Sequence, residues 1–153
     1  MGLARRFPGV PVVAADSDWW ARAAVREMAA VNHAPGVRVR SRITPAWLRA
    51  HLPDRALVMS DCEGCEATRF GGRDFPALRT ATLDIEVHEF AAPGVTAKLE
   101  RRFASTHAVR RARTDHERPR PPVDLSGYEP RLRLLAVDEI RLEQEWLVAA
   151  PDR

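Results

Sequence analysis

The middle of the sequence reads Leu57-Val58-Met59-Ser60-Asp61-Cys62-Glu63-Gly64-Cys65-Glu66. It starts with an uninterrupted apolar run, which indicates a buried β-strand. The strand ends at an aspartate, and carboxylates then surround a glycine that permits a tight turn close to a ligand. This stretch therefore predicts a strand whose carboxyl end carries the densest group of chemically active residues in the chain.

A second apolar run has the same form. It begins at Val10 and ends at Ala15, and Asp16 closes it. Continuous runs of this length are typical of strands that are covered on both faces, as in a parallel sheet flanked by helices. Strand and helix patterns alternate along most of the chain, which predicts an α/β fold with a mostly parallel sheet.

Other patterns predict the remaining elements. Asp18 is expected to cap a helix that runs to Asn32, and Thr44-Pro45 is expected to start a helix that ends before Pro53. The apolar face of the first of these helices would consist of Trp20, Ala24, Met28 and Val31. The further predicted elements are a strand at 37–40, a strand at 82–90, a helix after Gly94, a strand at 107–111, a loop at 113–128, a helix at 132–140 and a strand at 146–150.

Composition limits the class of protein. The chain has 153 residues, of which 45% are hydrophobic and 29% charged, and a formal net charge of +3. These values predict one soluble domain over residues 1–153. No apolar run approaches the roughly 18 residues of a membrane span, and the N-terminus lacks the apolar segment of a secretory signal. We therefore expect a cytoplasmic protein with no membrane partner, and the small net charge predicts no nucleic-acid partner.

Asp16 and Asp61 both stand at the carboxyl ends of predicted strands, where ligands bind in open parallel sheets. A carboxylate at such a position can accept hydrogen bonds from two neighbouring ribose hydroxyls. The alternative is that each aspartate caps the helix that follows it. Asp18 is the better cap after the first run and leaves Asp16 free, so the pair of aspartates favours a nucleotide site.

The two cysteines, Cys62 and Cys65, form a CxxC pattern within the acidic stretch. A zinc site would need two further ligands, and the chain offers only scattered histidines for them. Acidic neighbours raise the pKa of a thiol, which argues against a redox role. We expect two small thiols packed beneath a turn and no bound metal, and a small zinc-binding protein stays as an alternative.

The acidic stretch is followed later in the chain by Ile85-Glu86-Val87-His88-Glu89. Together the two stretches resemble the D-x-E-G-x-E … E-x-H pattern of FkbM-like, S-adenosylmethionine-dependent methyltransferases of the Rossmann-like class. Segments 2–8 and 12–16 look like the first helix and second strand of that family, and Trp146-Leu147-Val148 looks like its last strand. Nearly the whole chain is covered, and the specific part of the match is residues 61–66 with 86–89.

The resemblance implies roles for five residues. Asp16 would hold the cofactor ribose, and Asp61 would close a strand at the crevice for cofactor and substrate. Glu63, Glu86 and His88 would lie near that crevice as candidate catalytic residues. His88 is the first choice for a base that removes a proton from the attacking oxygen or nitrogen; its alternative is a solvated polar residue at a strand end. The pattern does not identify the methyl acceptor.

The resemblance also predicts that the first strand of the family and its glycine-rich turn are missing from this sequence. Sheets of this kind place a glycine-rich turn after the first strand, and the acidic ribose ligand follows roughly 20 residues later. Counting back that far from Asp16 passes Met1, and Gly71-Gly72 follows the wrong strand to replace the turn. We expect a truncated methyltransferase domain that binds S-adenosylmethionine weakly or not at all by itself. The alternatives are an inactive remnant and a partner chain that supplies the missing strand, and a homo-oligomer is left open.

A different class of function is a non-catalytic α/β binding or interaction module. Its arginines would then bind an acidic partner. No aromatic residues alternate with these arginines for base stacking, so a solvated loop is the favoured interpretation of the group. Its members are Arg110, Arg111, Arg113, Arg118 and Arg120.

Overall fold

The computed structural model describes residues 2–70, 75–113, 124, 126–127, 129–131 and 144–152. The chain divides into two units, Met1–His51 and Leu52–Arg153. The helix predicted at 132–140, most of the loop predicted at 113–128 and the Gly71-Gly72 pair lie outside the described residues. The elements in chain order are α1 (Gly2–Arg6), β1 (Val12–Ala15), α2 (Trp19–Val31), β2 (Val37–Arg40), α3 (Pro45–His51), β3 (Leu57–Ser60), α4 (Glu66–Arg69), α5 (Phe75–Leu78), β4 (Thr82–Val87), α6 (Val95–Phe103), β5 (His107–Arg113) and β6 (Glu145–Pro151).

The first unit contains a two-stranded parallel sheet and three helices. β1 pairs with β2 from Val12 opposite Val37 to Ala15 opposite Arg40. Both predicted helix starts are confirmed, because the Asp18 side chain accepts a hydrogen bond from the amide of Trp20 and the Thr44 hydroxyl accepts one from the amide of Trp47. Such caps satisfy amide groups that have no partner within the helix.

The second unit contains a four-stranded sheet in the order β3-β4-β6-β5. β3 and β4 are parallel, whereas β6 runs antiparallel to both of its neighbours. The α/β class predicted from the sequence is confirmed, but this sheet is mixed rather than mostly parallel. Antiparallel pairing of β6 with β5, the strand before it in the chain, requires no crossover helix between them.

The core of the second unit lies between the sheet and α6. β4 contributes Leu83 and Ile85, α6 contributes Leu99 and Phe103, and β6 contributes Leu147, and none of these side chains is exposed to solvent. Burial of each such side chain contributes roughly 1.5–3 kcal/mol. This core holds the carboxyl ends of β3 and β4 in place.

The two apolar runs that the sequence predicts to be covered on both faces are not covered. β1 and β3 alternate between half-buried and exposed residues, and Leu57 and Met59 are 50% and 53% exposed. The expectation is wrong, because alternate residues of each strand are exposed and one face of each strand is therefore open to solvent. Asp84 of β4 is likewise only half-buried, so its carboxylate keeps contact with solvent.

Within the described part of the chain, no helix has both the length and the apolar character needed to cross a membrane.

Candidate functional site

The candidate site lies where β3 and β4 end. The two strands are parallel neighbours, with Ser60 of β3 opposite Ile85 of β4. Their carboxyl ends therefore meet at one edge of the sheet. Asp61 follows β3, Glu86 lies near the end of β4, and His88 follows it.

A tight turn carries Glu63 toward this edge. Glu63 has a φ of 53° and Gly64 a φ of 105°, and the amide of Cys65 donates a hydrogen bond to the carbonyl of Cys62. The left-handed region is unfavourable for a side chain such as that of Glu63. A Cβ at Gly64 would also lie 2.7 Å from the Cβ of Ala91. Only glycine fits this position, because both the backbone angle and the neighbouring segment exclude a side chain.

Cys62 and Cys65 form a disulfide across this turn, with their Cα atoms 5.5 Å apart. The expectation of two free thiols is therefore wrong. The pairing was not apparent from the sequence because three residues of spacing suit a thiol pair, a metal ligand pair and a disulfide equally well. With the disulfide formed, neither sulfur is a thiolate that could bind zinc.

Glu66 is a buried carboxylate beneath the turn. It is the first residue of α4 and has no exposed surface. Its Oε1 accepts hydrogen bonds from the amides of Cys62 and Gly64 at 3.4 and 3.3 Å, and it lies 2.8 Å from Nδ1 of His88. Its Oε2 is buried without a hydrogen-bond partner. Glu66 thus ties the turn to the histidine ring.

His88 is the centre of the cluster. The residue is only 5% exposed, which excludes the alternative of a solvated polar residue at the strand end. Its Nε2 lies 3.6 Å from Oδ1 of Asp61, 3.5 Å from Oε2 of Glu63 and 3.7 Å from Oε1 of Glu86. Because Nδ1 already faces Glu66, the two ring nitrogens have different surroundings: Nδ1 has one close carboxylate and Nε2 has three more distant ones.

The charges in this cluster are unbalanced. Four carboxylates surround one imidazole. Among the residues that the structure describes, no lysine or arginine nitrogen lies within 4.0 Å of Asp61, Glu63 or Glu66. Glu86 accepts a neutral hydrogen bond from the side-chain amide of Gln144 at 2.7 Å. Glu66 is fully buried, and a buried carboxylate without an opposite charge is costly, so the cluster favours ligands that bring positive charge.

Glu89 belongs to the fold rather than to this cluster. Its two carboxylate oxygens accept hydrogen bonds from the amides of Gly94 and Thr96 at the start of α6, at 2.7 and 2.9 Å. Hydrogen bonds from Thr96 and then from Gly94 lower the pKa of this carboxyl. A carboxylate at a helix N-terminus is stabilising, so Glu89 anchors α6.

Asp16 is the predicted site residue that lies in the other unit. It follows β1, and its Oδ1 accepts a hydrogen bond from the amide of Asp18 at 2.8 Å. Asp18 is the helix cap, as expected, but Asp16 is not wholly free, because one of its oxygens takes part in this local turn. The structure brings together the other four predicted residues, Asp61, Glu63, Glu86 and His88.

Glu66 is the functional residue that sequence reasoning missed. It is the last residue of the D-x-E-G-x-E stretch, so its identity was visible, but the sequence does not show that it is buried against His88. A carboxylate four residues after Cys62 and at the start of a short helix could equally have pointed into solvent.

The arginine group of the alternative function is partly engaged within the protein. Arg111 donates two hydrogen bonds to the carboxylate of Glu100, at 2.6 and 2.7 Å, and Arg113 donates one to Glu145 at 3.2 Å. Arg118 and Arg120 lie outside the described residues. Two of the three described arginines therefore already have acidic partners in their own chain.

Comparison of the chain with protein-family models, with curated proteins and with solved structures gives no match. Functional assignment therefore depends on the geometry of the cluster at the ends of β3 and β4, taken with the resemblance in its sequence.

Proposed function

We propose that the chain is an S-adenosylmethionine-dependent methyltransferase-like domain of the Rossmann-like class, acting in the cytoplasm on an acceptor that is not identified. One observation supports this most. The residues of the D-x-E-G-x-E … E-x-H pattern are not scattered but meet at the carboxyl edge of two parallel strands. That edge is where open α/β sheets bind their ligands.

Methyl transfer suits the groups that meet at this edge. The bond from the cofactor sulfur to the methyl carbon breaks while a bond from the acceptor oxygen or nitrogen forms, and the acceptor gives up a proton. Positioning supplies much of the acceleration of such an in-line displacement. Glu63, Glu86 and His88 are the candidates to take the proton.

The positive charge of the cofactor also suits this edge. The sulfonium carries one positive charge, and the cluster has four carboxylates. The side chain of Asp61 is 43% exposed, whereas that of His88 is almost wholly buried. A ligand approaching from solvent would therefore reach Asp61 before His88, which agrees with the proposed role of Asp61 in holding the cofactor. Binding of the cofactor by this chain alone is expected to be weak.

Ligand-observed NMR tests this proposal. We expect S-adenosylmethionine to give saturation-transfer signals from both its adenosine and its methionine protons. We expect its dissociation constant to lie above the micromolar range. Asp61→Asn should reduce the signals severalfold, and Glu27→Gln, an exposed glutamate of α2, should leave them unchanged. If S-adenosylmethionine gives no more signal than adenosine, or if the Asp61 variant binds like the parent chain, the assignment to methyl transfer is wrong.

A further inference from the structure

We propose that Asp61, Glu63 and His88 form a binding site for a divalent transition-metal cation, supported from beneath by Glu66. The donor atoms of the three ligands all lie within 4.8 Å of one another. The proposed methyltransferase function neither requires nor supplies this metal. Binding of the cation can be measured with no cofactor or acceptor present.

The distances around His88 suit a shared cation better than hydrogen bonds. Nε2 lies 3.6 Å from the Asp61 oxygen and 3.5 Å from the Glu63 oxygen. Hydrogen bonds between nitrogen and oxygen are typically about 2.7–3.2 Å long. Two ligands that each lie about 2.1 Å from one ion are about 3.0–3.4 Å apart in octahedral or tetrahedral geometry. The two distances from Nε2 are a few tenths of an ångström above this range, and the donor atoms of all three ligands lie within 4.8 Å of one another.

The buried histidine is a second and independent sign of a ligand. Its ring is more than nine-tenths buried, and Nδ1 is fixed 2.8 Å from Glu66. In the tautomer that donates Nδ1–H to that carboxylate, the lone pair of Nε2 points toward the Asp61 and Glu63 oxygens, 3.6 and 3.5 Å away. Histidines that bind metals commonly donate their other nitrogen to a carboxylate in this way, which fixes the ring and its tautomer.

The charge of the cluster also indicates a bound cation. Glu66 is fully buried, and its Oε2 has no hydrogen-bond partner. Asp61 and Glu63 have no ion-pair partner among the described residues other than His88. A divalent cation at Nε2 would offset these negative charges without moving the backbone. Glu63 has a left-handed φ of 53°, and its carboxylate lies 3.5 Å from Nε2 of His88.

The ligand types select the kind of metal. One imidazole with two carboxylates suits Mn²⁺, Fe²⁺ or Zn²⁺, whereas Ca²⁺ and Mg²⁺ prefer oxygen ligands alone. The neighbouring sulfurs are joined in a disulfide and do not compete for the ion. The sequence-based expectation of no bound metal concerned the cysteines as ligands. It did not concern Asp61, Glu63 and His88.

A cation at Nε2 changes the possible acid–base roles. It uses the lone pair through which His88 would accept a proton, so His88 is a ligand and not a base in the metal-bound protein. Glu63 is a ligand as well. Glu86 then remains as the carboxylate that could accept a proton, 3.7 Å from Nε2 and held by Gln144.

Titration of the whole chain with Mn²⁺, followed by electron paramagnetic resonance, tests the site without cofactor. We expect one Mn²⁺ per chain. Asp61→Asn and Glu63→Gln should each weaken binding at least tenfold, and Glu27→Gln should bind like the parent. The side chains of Asp61 and Glu63 are 43% and 72% exposed, so their substitution should not prevent folding. A spin-echo experiment on the bound Mn²⁺ should detect a directly coordinated nitrogen, which only a histidine can supply here.

Three results would overturn the metal site: no Mn²⁺ binding by the parent chain, equal binding by the Asp61 and Glu63 variants, or bound Mn²⁺ without a coordinated nitrogen. None of these three results would change the conclusion drawn from the NMR measurement of S-adenosylmethionine binding. Conversely, a chain that binds Mn²⁺ as described but gives no cofactor signal retains the metal site and loses the methyltransferase function.

Discussion

The two units of the chain start from similar sequence patterns and reach different degrees of burial. Each has an apolar strand closed by an aspartate, β1 before Asp16 and β3 before Asp61. All of the buried side chains of the described residues lie in the second unit. The first unit has a sheet of two strands, which is marginally stable by itself, whereas the second has four strands and a covering helix. Both β1 and β3 alternate between half-buried and exposed residues, so an apolar run closed by an aspartate does not by itself place a strand in a core.

The helices of the two units show the same contrast. The predicted apolar face of α2 includes Trp20 and Met28, which are 66% and 50% exposed. That face is therefore not a core face in this structure, contrary to expectation. In α6, Leu99 and Phe103 lie four residues apart on one face of the helix and are fully buried. Spacing predicts which residues share a face, but not whether anything packs against it.

Truncation of one residue in each helix gives the largest expected difference between the units. Leu99→Ala should lower the free energy of unfolding by about 3 kcal/mol, because it leaves a cavity in a closed core. Met28→Ala should lower it by less than about 0.5 kcal/mol, because the side chain is already exposed. Urea unfolding followed by circular dichroism measures both. Similar losses in the two variants would show that the face of α2 is covered and would remove the contrast.

Substitution of three glycines by alanine tests how tightly the chain is packed around each of them. The expected losses in the free energy of unfolding are intermediate in size. Gly64→Ala should cost about 2 kcal/mol and abolish Mn²⁺ binding, because it combines a positive φ with the contact to Ala91. Gly94→Ala shares the positive φ but has open space, so it should cost only about 1 kcal/mol. Gly36→Ala in the first unit has neither constraint and should be close to neutral. If Gly64→Ala and Gly94→Ala cost the same, the contact with Ala91 is not a constraint.

Local features of the fold were predictable from the sequence, and long-range ones were not. The cap of α2 at Asp18 and the start of α3 at Thr44-Pro45 follow from residue types and spacing, and the structure contains both. The antiparallel direction of β6 and the exposed edge of β3 depend on which strands pair, and periodicity carries no such information.

The candidate site also has features that were predictable from the sequence and features that were not. The convergence of Asp61, Glu63, Glu86 and His88 depends on β3 and β4 being parallel neighbours. The sequence placed these residues near one crevice only through the resemblance, because the residue pattern does not show which strands pair. The burial of Glu66 and the disulfide above it depend on how the turn folds back. The handedness of that turn is set at Glu63 and Gly64, and no repeated pattern marks it.

The smallest expected effect concerns a surface ion pair of the second unit. Arg111 on β5 binds the carboxylate of Glu100 on α6 through two hydrogen bonds, and these contacts lower the pKa of Glu100 below its ordinary value of 4.5. In the first unit, the corresponding arginine contact of Arg22 is made to the backbone carbonyls of Asp16 and Ser17, and it contains no titrating carboxylate. Acid sensitivity from such a contact should therefore be confined to the second unit.

Glu100→Gln measures that contribution through its dependence on pH. A carboxyl whose pKa is lower in the folded state stabilises the fold above its unfolded pKa, and the stabilisation is lost as the pH falls through the folded pKa. The pair is partly exposed and screened by solvent, so the variant should be less stable than the parent by only about 0.5 kcal/mol at neutral pH. The difference should vanish in urea titrations well below pH 4.5, and Glu27→Gln should show no such change. A deficit of the Glu100 variant that is constant from neutral to acidic pH would mean that the lost interaction is packing of the side chain and not its charge.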